Sequence, residues 1–163
     1  MATEIRRVRR SDTAAITDIY NWYIANTVIT FEEEPVREQD MQRRIDSVDN
    51  ENPWLVMVEG DELLGYAYAV PWKARAAYRY SKETTVYLHR DCFGRGHGTQ
   101  LMQSLIEEIC KTPIHVLIAG IALPNEGSVA LHEKLGFRKI GQFEEVGCKF
   151  NKPVDVGYWQ LTL

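Results

Sequence analysis

Several features that define common protein classes are missing from this chain of 163 residues. It has only three cysteines, Cys92, Cys110 and Cys148, which are widely spaced and form no Cys-x-x-Cys pair. This pattern argues against both a disulfide scaffold and a zinc site. No apolar run is long enough to span a bilayer, and residues 1–12 lack the apolar core of a secretion signal. We therefore expect a cytoplasmic protein with free thiols and no membrane partner.

An excess of basic charge is also missing. The formal net charge is −4 and the sequence pI is about 5.6, whereas a protein that binds nucleic acid as its main partner favours a basic surface. No histidine and carboxylate stand at the spacing of a ligand set, so we expect no metal. The chain also lacks repeats, linkers and low-complexity tracts. These absences predict one globular domain over residues 1–163.

The two common nucleotide-binding motifs are absent, although three glycines alternate at Gly94, Gly96 and Gly98. The Gly-x-Gly-x-x-Gly pattern fails, because Thr99 or Leu101 takes the place of its last glycine. The Gly-Lys-Ser/Thr ending of triphosphate loops is missing as well. What remains is a short glycine turn between a strand-like segment and a helical one. Such a turn either holds a phosphate on free backbone N–H groups or serves only as a tight turn.

Periodicity predicts seven strands and four helices. Hairpins outnumber crossovers, so we expect an α/β (mixed α+β) fold whose central sheet is mixed and has helices on both faces. The predicted strands cover residues 4–9, 54–59, 63–70, 84–88, 114–121, 137–150 and 155–163. The predicted helices follow a cap at Ser11 or Asp12, follow Pro35, line one face from Leu101 to Ile109, and run from Asn125 to Leu135.

The order of strand, glycine loop, helix, buried strand, Asn and helix is distinctive. Together with the segment ALPNEGSVALHEKLGFRKIG at 122–141, it resembles the GNAT superfamily of acetyl-CoA-dependent N-acetyltransferases. The family loop reads Arg/Gln-x-x-Gly-x-Gly/Ala, and Gly96 and Gly98 fill its glycine positions. Phe93 stands where the family has Arg or Gln. The resemblance implies the GNAT fold, with a mostly antiparallel sheet of about seven strands, and a backbone phosphate cradle that needs only the turn.

Four blocks, at 19–36, 63–89, 118–137 and 146–161, resemble more narrowly the phosphinothricin and methionine-sulfoximine acetyltransferases. This resemblance implies acetyl transfer from acetyl-CoA to the α-amino group of a small amino acid of the glutamate or methionine-sulfone shape. It also implies a homodimer with active sites near the subunit contact, and herbicide resistance as one of its uses.

Two residues are candidates for proton transfer. An α-ammonium must lose a proton before it attacks a thioester, and a carboxylate can take that proton. Glu83 stands where the family's proposed base lies; the alternative is a solvated glutamate at a strand edge. His132 takes the place of a tyrosine that many family members use to protonate the leaving thiolate. It is equally consistent with a histidine that only packs.

The resemblance also assigns the binding residues. For acetyl-CoA, Val86, Tyr87 and Leu88 would offer strand backbone groups, and Asn125 and Ser128 would contact the pantetheine arm. The loop would hold the pyrophosphate through Gly94, Arg95, Gly96, His97, Gly98 and Thr99. Apart from the resemblance, two arginines four apart, Arg75 and Arg79, suit a carboxylate, phosphinate or sulfone, and aromatic walls suit a short aliphatic chain. The alternative is an exposed basic loop whose aromatic residues belong to the core. The predicted substrate residues are Phe31, Trp72, Arg75, Ala76, Ala77, Tyr78, Arg79, Glu83, Thr84 and Lys149.

Two other functions stay open on the sequence alone. The first is a GNAT enzyme that acetylates a protein N-terminus, a polyamine or an aminoglycoside. The cations Lys73, Arg75, Arg79 and Lys82 speak against a polycationic substrate and favour an anionic one. The second is a non-catalytic acyl-CoA sensor, against which the presence of Glu83 and His132 speaks.

Overall fold

A single sheet of seven strands, in the order β1-β2-β3-β4-β5-β7-β6, organises the protein. The structure is a computed structural model that describes all residues 1–163. The strands are β1 Thr3–Arg7, β2 Trp54–Glu59, β3 Glu62–Pro71, β4 Ser81–Leu88, β5 Val116–Leu123, β6 Arg138–Lys149 and β7 Lys152–Thr162. The helices are α1 Thr13–Asn26, α2 Glu38–Asp46, α3 His97–Ile109 and α4 Glu126–Lys134.

Every neighbouring pair of strands is antiparallel except the central pair β4 and β5. The predicted mixed, mostly antiparallel seven-stranded sheet is therefore confirmed. Two hydrophobic cores lie on its two faces: α1 and α2 cover an aromatic-rich face, while α3 and α4 cover an aliphatic one. Because strand side chains alternate, Tyr66 belongs to the first core and Ala67 to the second. Helices thus cover both faces, as predicted.

Four strands have a boundary that differs from the sequence prediction by two residues or more. β4 starts at Ser81 rather than at residue 84, because Ser81 already pairs with Val116. β7 starts at Lys152 rather than at residue 155, because Lys152 pairs with Lys149. β1 ends at Arg7 rather than at residue 9, because a 3-10 turn begins at Arg10. The Asp12 carboxylate stabilises this turn by accepting a hydrogen bond of 2.7 Å from the Arg9 N–H and two bonds from Arg6. β5 starts at Val116 rather than at residue 114, because its pairing with β7 begins only there. Ile114 is buried although it lies outside the strand. The apolar run in the sequence therefore indicated burial and not strand pairing.

The glycine loop and the Asn125 segment form as predicted. α3 begins directly after Gly96, and α4 begins after Asn125, whose side-chain oxygen accepts a hydrogen bond of 3.2 Å from the Ser128 N–H. This is a conventional N-cap. Gly136 follows α4 with φ of +95°, the left-handed conformation that ends many helices.

None of the helices combines the length and the apolar character that crossing a membrane requires.

Candidate active site

The site lies where the two parallel strands separate. β4 and β5 pair only over three positions, Ser81 with Val116, Lys82 with Leu117 and Glu83 with Ile118. Beyond Glu83, β4 remains paired with β3 as far as Leu88, and β5 remains paired with β7 as far as Leu123. The sheet therefore opens between residues 84–88 and 119–123, and backbone groups along this opening have no strand partner. An extended ligand with amide groups can bind there as a strand would.

Two cavities of about 470 Å³ each follow the opening. The loop cavity lies at its wide end and the central cavity at its narrow end; they share Ile29, Val86, Asn125 and Ser128. The loop cavity is lined by Tyr23, Ile29, Val86, Leu88, Phe93, Gly94, Gly96, Gly98, Thr99, Asn125, Gly127, Ser128, Ala130, Leu131 and Lys134. The central cavity is lined by Ile29, Thr30, Phe31, Tyr68, Glu83, Thr84, Thr85, Val86, Tyr87, Ala119, Gly120, Ile121, Ala122, Asn125, Ser128, His132, Val146, Val156 and Tyr158.

The glycine loop is shaped by its backbone. Gly94 and Gly96 have φ of +76° and +80°, a conformation that residues with a side chain rarely adopt. No atom lies within 4 Å of where a Cβ at either position would stand, so the loop leaves open space in front of α3. Gly98 is needed for a different reason, since its Cβ would lie 2.7 Å from Leu131 Cδ1. Gly94 and Gly96 thus leave the N-terminus of α3 clear, which suits an anion, while Gly98 allows α3 to pack closely against α4.

The other predicted coenzyme residues are placed unevenly. Val86, Asn125 and Ser128 lie at the junction of the two cavities, and Leu88 and Thr99 line the loop cavity. The Tyr87 ring packs among the aromatic residues of the α1 face. The side chains of Arg95 and His97 line neither cavity. Their backbone N–H groups belong to the loop and to the start of α3.

Glu83 stands at the narrow end of the opening, where β4 and β5 last pair. Its half-buried carboxylate has no hydrogen-bond partner within the protein. Burial raises the pKa of this carboxyl above its ordinary value, and the positive charge of Lys73 opposes the rise. Glu83 also lines the α2 cavity, a separate space of about 420 Å³ beneath α2. An unpaired carboxylate with a raised pKa is suited to accepting a proton.

His132 lies on α4 and faces the central cavity, with only 4% of its surface exposed. Its Nδ1 lies 2.7 Å from the Ser128 carbonyl oxygen, so Nδ1 carries a hydrogen and donates it. Its Nε2 has no partner. Burial lowers the pKa of the imidazole, so the neutral ring with a bare Nε2 prevails at neutral pH. In that form Nε2 accepts hydrogen bonds and has no proton to give.

The predicted substrate residues fall into three places. Phe31 and Thr84 line the central cavity, and the buried Thr84 hydroxyl has no partner. Trp72, Arg75, Ala76 and Arg79 instead line an outer cavity of about 500 Å³ beside Lys73 and Lys82, while Ala77 and Tyr78 lie on an exposed 3-10 turn. Glu83 does not line the outer cavity that holds the two arginines, and residues 73–80 are exposed. Trp72 connects the outer cavity with the central cavity, because its ring centroid lies 5.8 Å from that of Tyr158, which lines the central cavity.

Lys149 does not line the central cavity either. Its side chain is 2% exposed, and its Nζ donates a hydrogen bond of 2.8 Å to the Thr30 carbonyl. Burial lowers the pKa of this ammonium group. In this structure Lys149 therefore contacts the 27–36 segment that borders the site.

Sequence reasoning missed several residues of the central cavity. Tyr68 and Thr85 face each other across β3 and β4, and with Glu83 they form the wall shared with the α2 cavity. The alternation of β4 places Thr85 on the same face as Glu83, so the sequence did contain a signal for it. Val146 and Tyr158 come from β6 and β7 near the C-terminus. No local pattern could have connected them to Glu83.

Comparison with known proteins identifies the class. Residues 5–157 match the family model described as an acetyltransferase (GNAT) domain. The chain belongs to the GNAT family of acetyltransferases, and acetyl-CoA is its co-substrate. The open glycine cradle and the unpaired strand edges fit that molecule, whose pyrophosphate and amide groups need such partners. No cluster of three or more His, Cys, Asp or Glu side chains is arranged to hold a metal ion.

Named relatives narrow the class. The chain is 38% identical to the phosphinothricin N-acetyltransferase of Streptomyces coelicolor, over 98% of this chain and 96% of the relative. It is 35% identical to the L-methionine sulfoximine/L-methionine sulfone acetyltransferase of Pseudomonas aeruginosa, over 100% and 96%. A phosphinothricin acetyltransferase of Sinorhizobium meliloti, solved with acetyl-CoA, superposes with a TM-score of 0.95 at 32% identity, covering 100% of this chain and 89% of that one. The sequence-based assignment to this group is confirmed.

Proposed function

We propose that the enzyme acetylates the α-amino group of a small, amino-acid-like substrate of the phosphinothricin, methionine sulfoximine or methionine sulfone type. The acetyl group passes directly from acetyl-CoA to the amine in a ternary complex. The observation that carries this proposal is the opening between β4 and β5, with the unpaired Glu83 carboxylate at its narrow end and the open glycine loop at its wide end. The names of the relatives supply the substrate class.

Glu83 is the proposed base. The substrate amine arrives mostly protonated near neutral pH and cannot attack a thioester in that form. Because burial raises the Glu83 pKa, this carboxylate holds an accepted proton better than an exposed glutamate does. Its position at the last β4–β5 pair lies beside the central cavity. The proton passes to Glu83 directly or through one water.

The wide end of the opening holds the coenzyme. When bound, acetyl-CoA supplies an acetyl group activated as a thioester. The backbone N–H groups at the start of α3, from Gly94 to Thr99, bind its pyrophosphate. The free edge of β4 at Val86, Tyr87 and Leu88 binds its amide groups, and Asn125 and Ser128 contact its pantetheine arm. The loop cavity and central cavity join at Val86, Asn125 and Ser128, which supports one continuous binding trough.

The general-acid role predicted for His132 has weaker support. An acid must first be protonated, yet burial favours the neutral imidazole. The Nδ1 hydrogen is already committed to the Ser128 carbonyl. This geometry supports His132 as a hydrogen-bond acceptor in the central cavity more than as a proton donor.

An anionic acceptor is favoured by the outer cavity. Lys73, Arg75, Arg79 and Lys82 line it with a single acid, Glu51, and none of the four cations forms a salt bridge. Unpaired arginines suit carboxylate, phosphinate or sulfone oxygens. We therefore retain Arg75 and Arg79 as proposed substrate residues. They would reach the substrate in their own chain if the 71–80 segment moved, or the substrate of a partner subunit across a subunit contact.

A homodimer is part of the proposal, as is a cytoplasmic location. β6 is an edge strand of the sheet, and large apolar side chains on and beside it are half or more exposed. These are Ile140 at 50%, Phe143 at 59%, Val146 at 60% and Phe150 at 52%. An edge strand with such exposure is commonly covered by a partner. Light scattering after size exclusion tests this point, and a monomer at all concentrations would contradict it.

The deciding experiment is CoA thiol release with a panel of amines. The panel contains phosphinothricin, methionine sulfoximine, methionine sulfone, ordinary amino acids, spermidine, an aminoglycoside and a peptide with a free N-terminus. We expect release with the first three at the highest kcat/KM. A higher kcat/KM for spermidine, the aminoglycoside or the peptide would contradict the proposed substrate class and assign the preferred amine's class instead. Acetyl-CoA binding without release for any amine would favour a sensor.

A further inference from the structure

Phe31 lies directly against the backbone of Gly147. A Cβ built on Gly147 would stand 2.5 Å from Phe31 Cε2 and would overlap Cζ as well. Real Cβ atoms do not approach ring carbons so closely, because the contact is well inside the van der Waals distance. The missing side chain at residue 147 therefore creates the space that the Phe31 ring occupies.

The backbone itself does not demand a glycine there. The φ of Gly147 lies outside the left-handed region, unlike that of Gly94 or Gly96. The unusual backbone conformation lies two residues earlier, at Glu145, whose φ is +53°. This irregularity is a bulge: β6 pairs with β7 at Phe143 and again at Gly147, with one intervening β7 residue, Asp155. The three atoms nearest to a Cβ at residue 147 all belong to the Phe31 ring.

A second contact fixes the same segment. Lys149, two residues beyond Gly147, donates its buried hydrogen bond of 2.8 Å to the Thr30 carbonyl. The Thr30 hydroxyl in turn lies 2.8 Å from the Tyr20 hydroxyl of α1. The residue before Phe31 is thus held from both β6 and α1. The main chain at Phe31 is fixed, and only the ring remains free to respond to its surroundings.

The ring borders the central cavity. Phe31 lines it together with Glu83, and Val146 reaches the same cavity from the bulge beside Gly147. Phe31 is 42% exposed, so the residues of its own chain leave room for the ring to move. A larger residue at 147 would push the ring without disrupting either hydrophobic core.

We infer that Gly147 is a positioning residue that sets the place of the Phe31 ring, and thereby the width of the central cavity available to the acceptor side chain. The inference rests on the proposed function in one respect, namely that the acceptor is a small amino-acid-like amine. Because Phe31 lines only the central cavity and the glycine loop lines only the loop cavity, we expect the effect to fall on the amine substrate and to leave pyrophosphate binding unchanged. Phe31 contacts the acceptor, and Gly147 acts only through Phe31.

The test is Gly147→Ala, with Gly141→Ala as its matched control. Gly141 lies on the same strand, but no atom stands within 4 Å of its Cβ position. With methionine sulfone, or the best acceptor of the panel, Gly147→Ala should raise KM by about ten-fold or more, since small changes in a binding pocket have effects of this size. The acetyl-CoA Kd, the melting temperature and the oligomeric state should stay at wild-type values. Gly141→Ala should leave every quantity unchanged.

A double-mutant cycle with Phe31→Ala separates positioning from a general structural effect. Once the ring is gone, adding Gly147→Ala should change the acceptor KM by less than about two-fold. An undiminished effect in the Phe31→Ala background would overturn the inference, as would a Gly147→Ala enzyme equal to Gly141→Ala. If the wild type acetylates no amine, the proposed function fails instead. The ring position in a crystal structure of Gly147→Ala then still decides whether Gly147 seats Phe31.

Discussion

The two ends of the β4–β5 opening are built in different ways. At the wide end, the cradle consists of backbone: Gly94 and Gly96 turn the chain, and α3 begins at once. At the narrow end, the central cavity consists of side chains from β3, β4, β6, β7 and the 27–36 segment. A backbone cradle should tolerate a change of side chain such as Phe93 in the Arg/Gln position. A cavity made of side chains depends on each of its members.

The largest effect should come from the narrow end, with Glu83→Gln. Removing a general base costs about 10²–10⁴-fold in kcat. The loss should be greatest below pH 8, where the amine is mostly protonated, and should shrink as pH rises and the free amine appears. In the wild type, activity should fall as pH drops through the Glu83 pKa, which burial places above that of an ordinary glutamate. The variant should lack this acidic limb.

The measurement is kcat and kcat/KM for the best acceptor across the acidic and basic pH range in which the enzyme stays folded, with acetyl-CoA affinity measured separately. Glu107→Gln is the control, since Glu107 is exposed on α3, away from both cavities. Equal rates for wild type and Glu83→Gln at every pH would reject the base role.

A comparison at the wide end should give the next largest effect. Gly96→Val places a β-branched residue at φ of +80°, a conformation it strongly disfavours. The N–H groups at the start of α3 would turn away, and we expect acetyl-CoA Kd to rise by about 10–100-fold, the cost of losing one or two charge-assisted hydrogen bonds. Phe93→Ala should change Kd by less than about three-fold, because Phe93 lines the loop cavity with a half-exposed ring and not with a polar group.

Isothermal titration calorimetry with acetyl-CoA measures both variants. If Phe93→Ala weakened binding as much as Gly96→Val, the cradle would depend on side chains, and the contrast between the two ends would disappear.

The same contrast explains what the sequence could predict. The cradle, α3 and the Asn125 cap of α4 are contiguous segments, so their chemistry is visible as local patterns. Thr85 was within reach, because strand alternation places it beside Glu83. Val146 and Tyr158 were not, since only the order β5-β7-β6 brings the C-terminal strands to the site. Arg75 and Arg79 show the converse: their chemistry suited a substrate, but tertiary structure places them in an outer cavity that Glu83 does not line.

A smaller effect is expected for His132→Gln. Because the imidazole is neutral and its Nδ1 donates to the Ser128 carbonyl, the variant loses an acceptor in the cavity rather than an acid. We expect kcat to fall by less than about ten-fold, below what a general acid contributes. The basic limb of the pH profile should stay in place. A loss of a hundred-fold or more that removes this limb would instead establish the acid role that the sequence predicted.

The smallest effect should come from Cys92→Ala, which tests direct transfer. Cys92 lies in the 3-10 turn just before the glycine loop, close enough to the coenzyme end to raise the question of an acyl-enzyme. A nucleophilic cysteine needs a lowered pKa and an adjacent base. Burial among the aliphatic residues of the α3 face instead raises the Cys92 pKa, against the opposing charge of Arg95. We expect kcat within about two-fold of wild type, with a stability loss of about 1 kcal/mol from the vacated core space. Complete loss of activity in a folded Cys92→Ala enzyme would contradict direct transfer in a ternary complex. It would also mean that a reacting side chain lies at the wide end of the opening, where our proposal has only backbone groups.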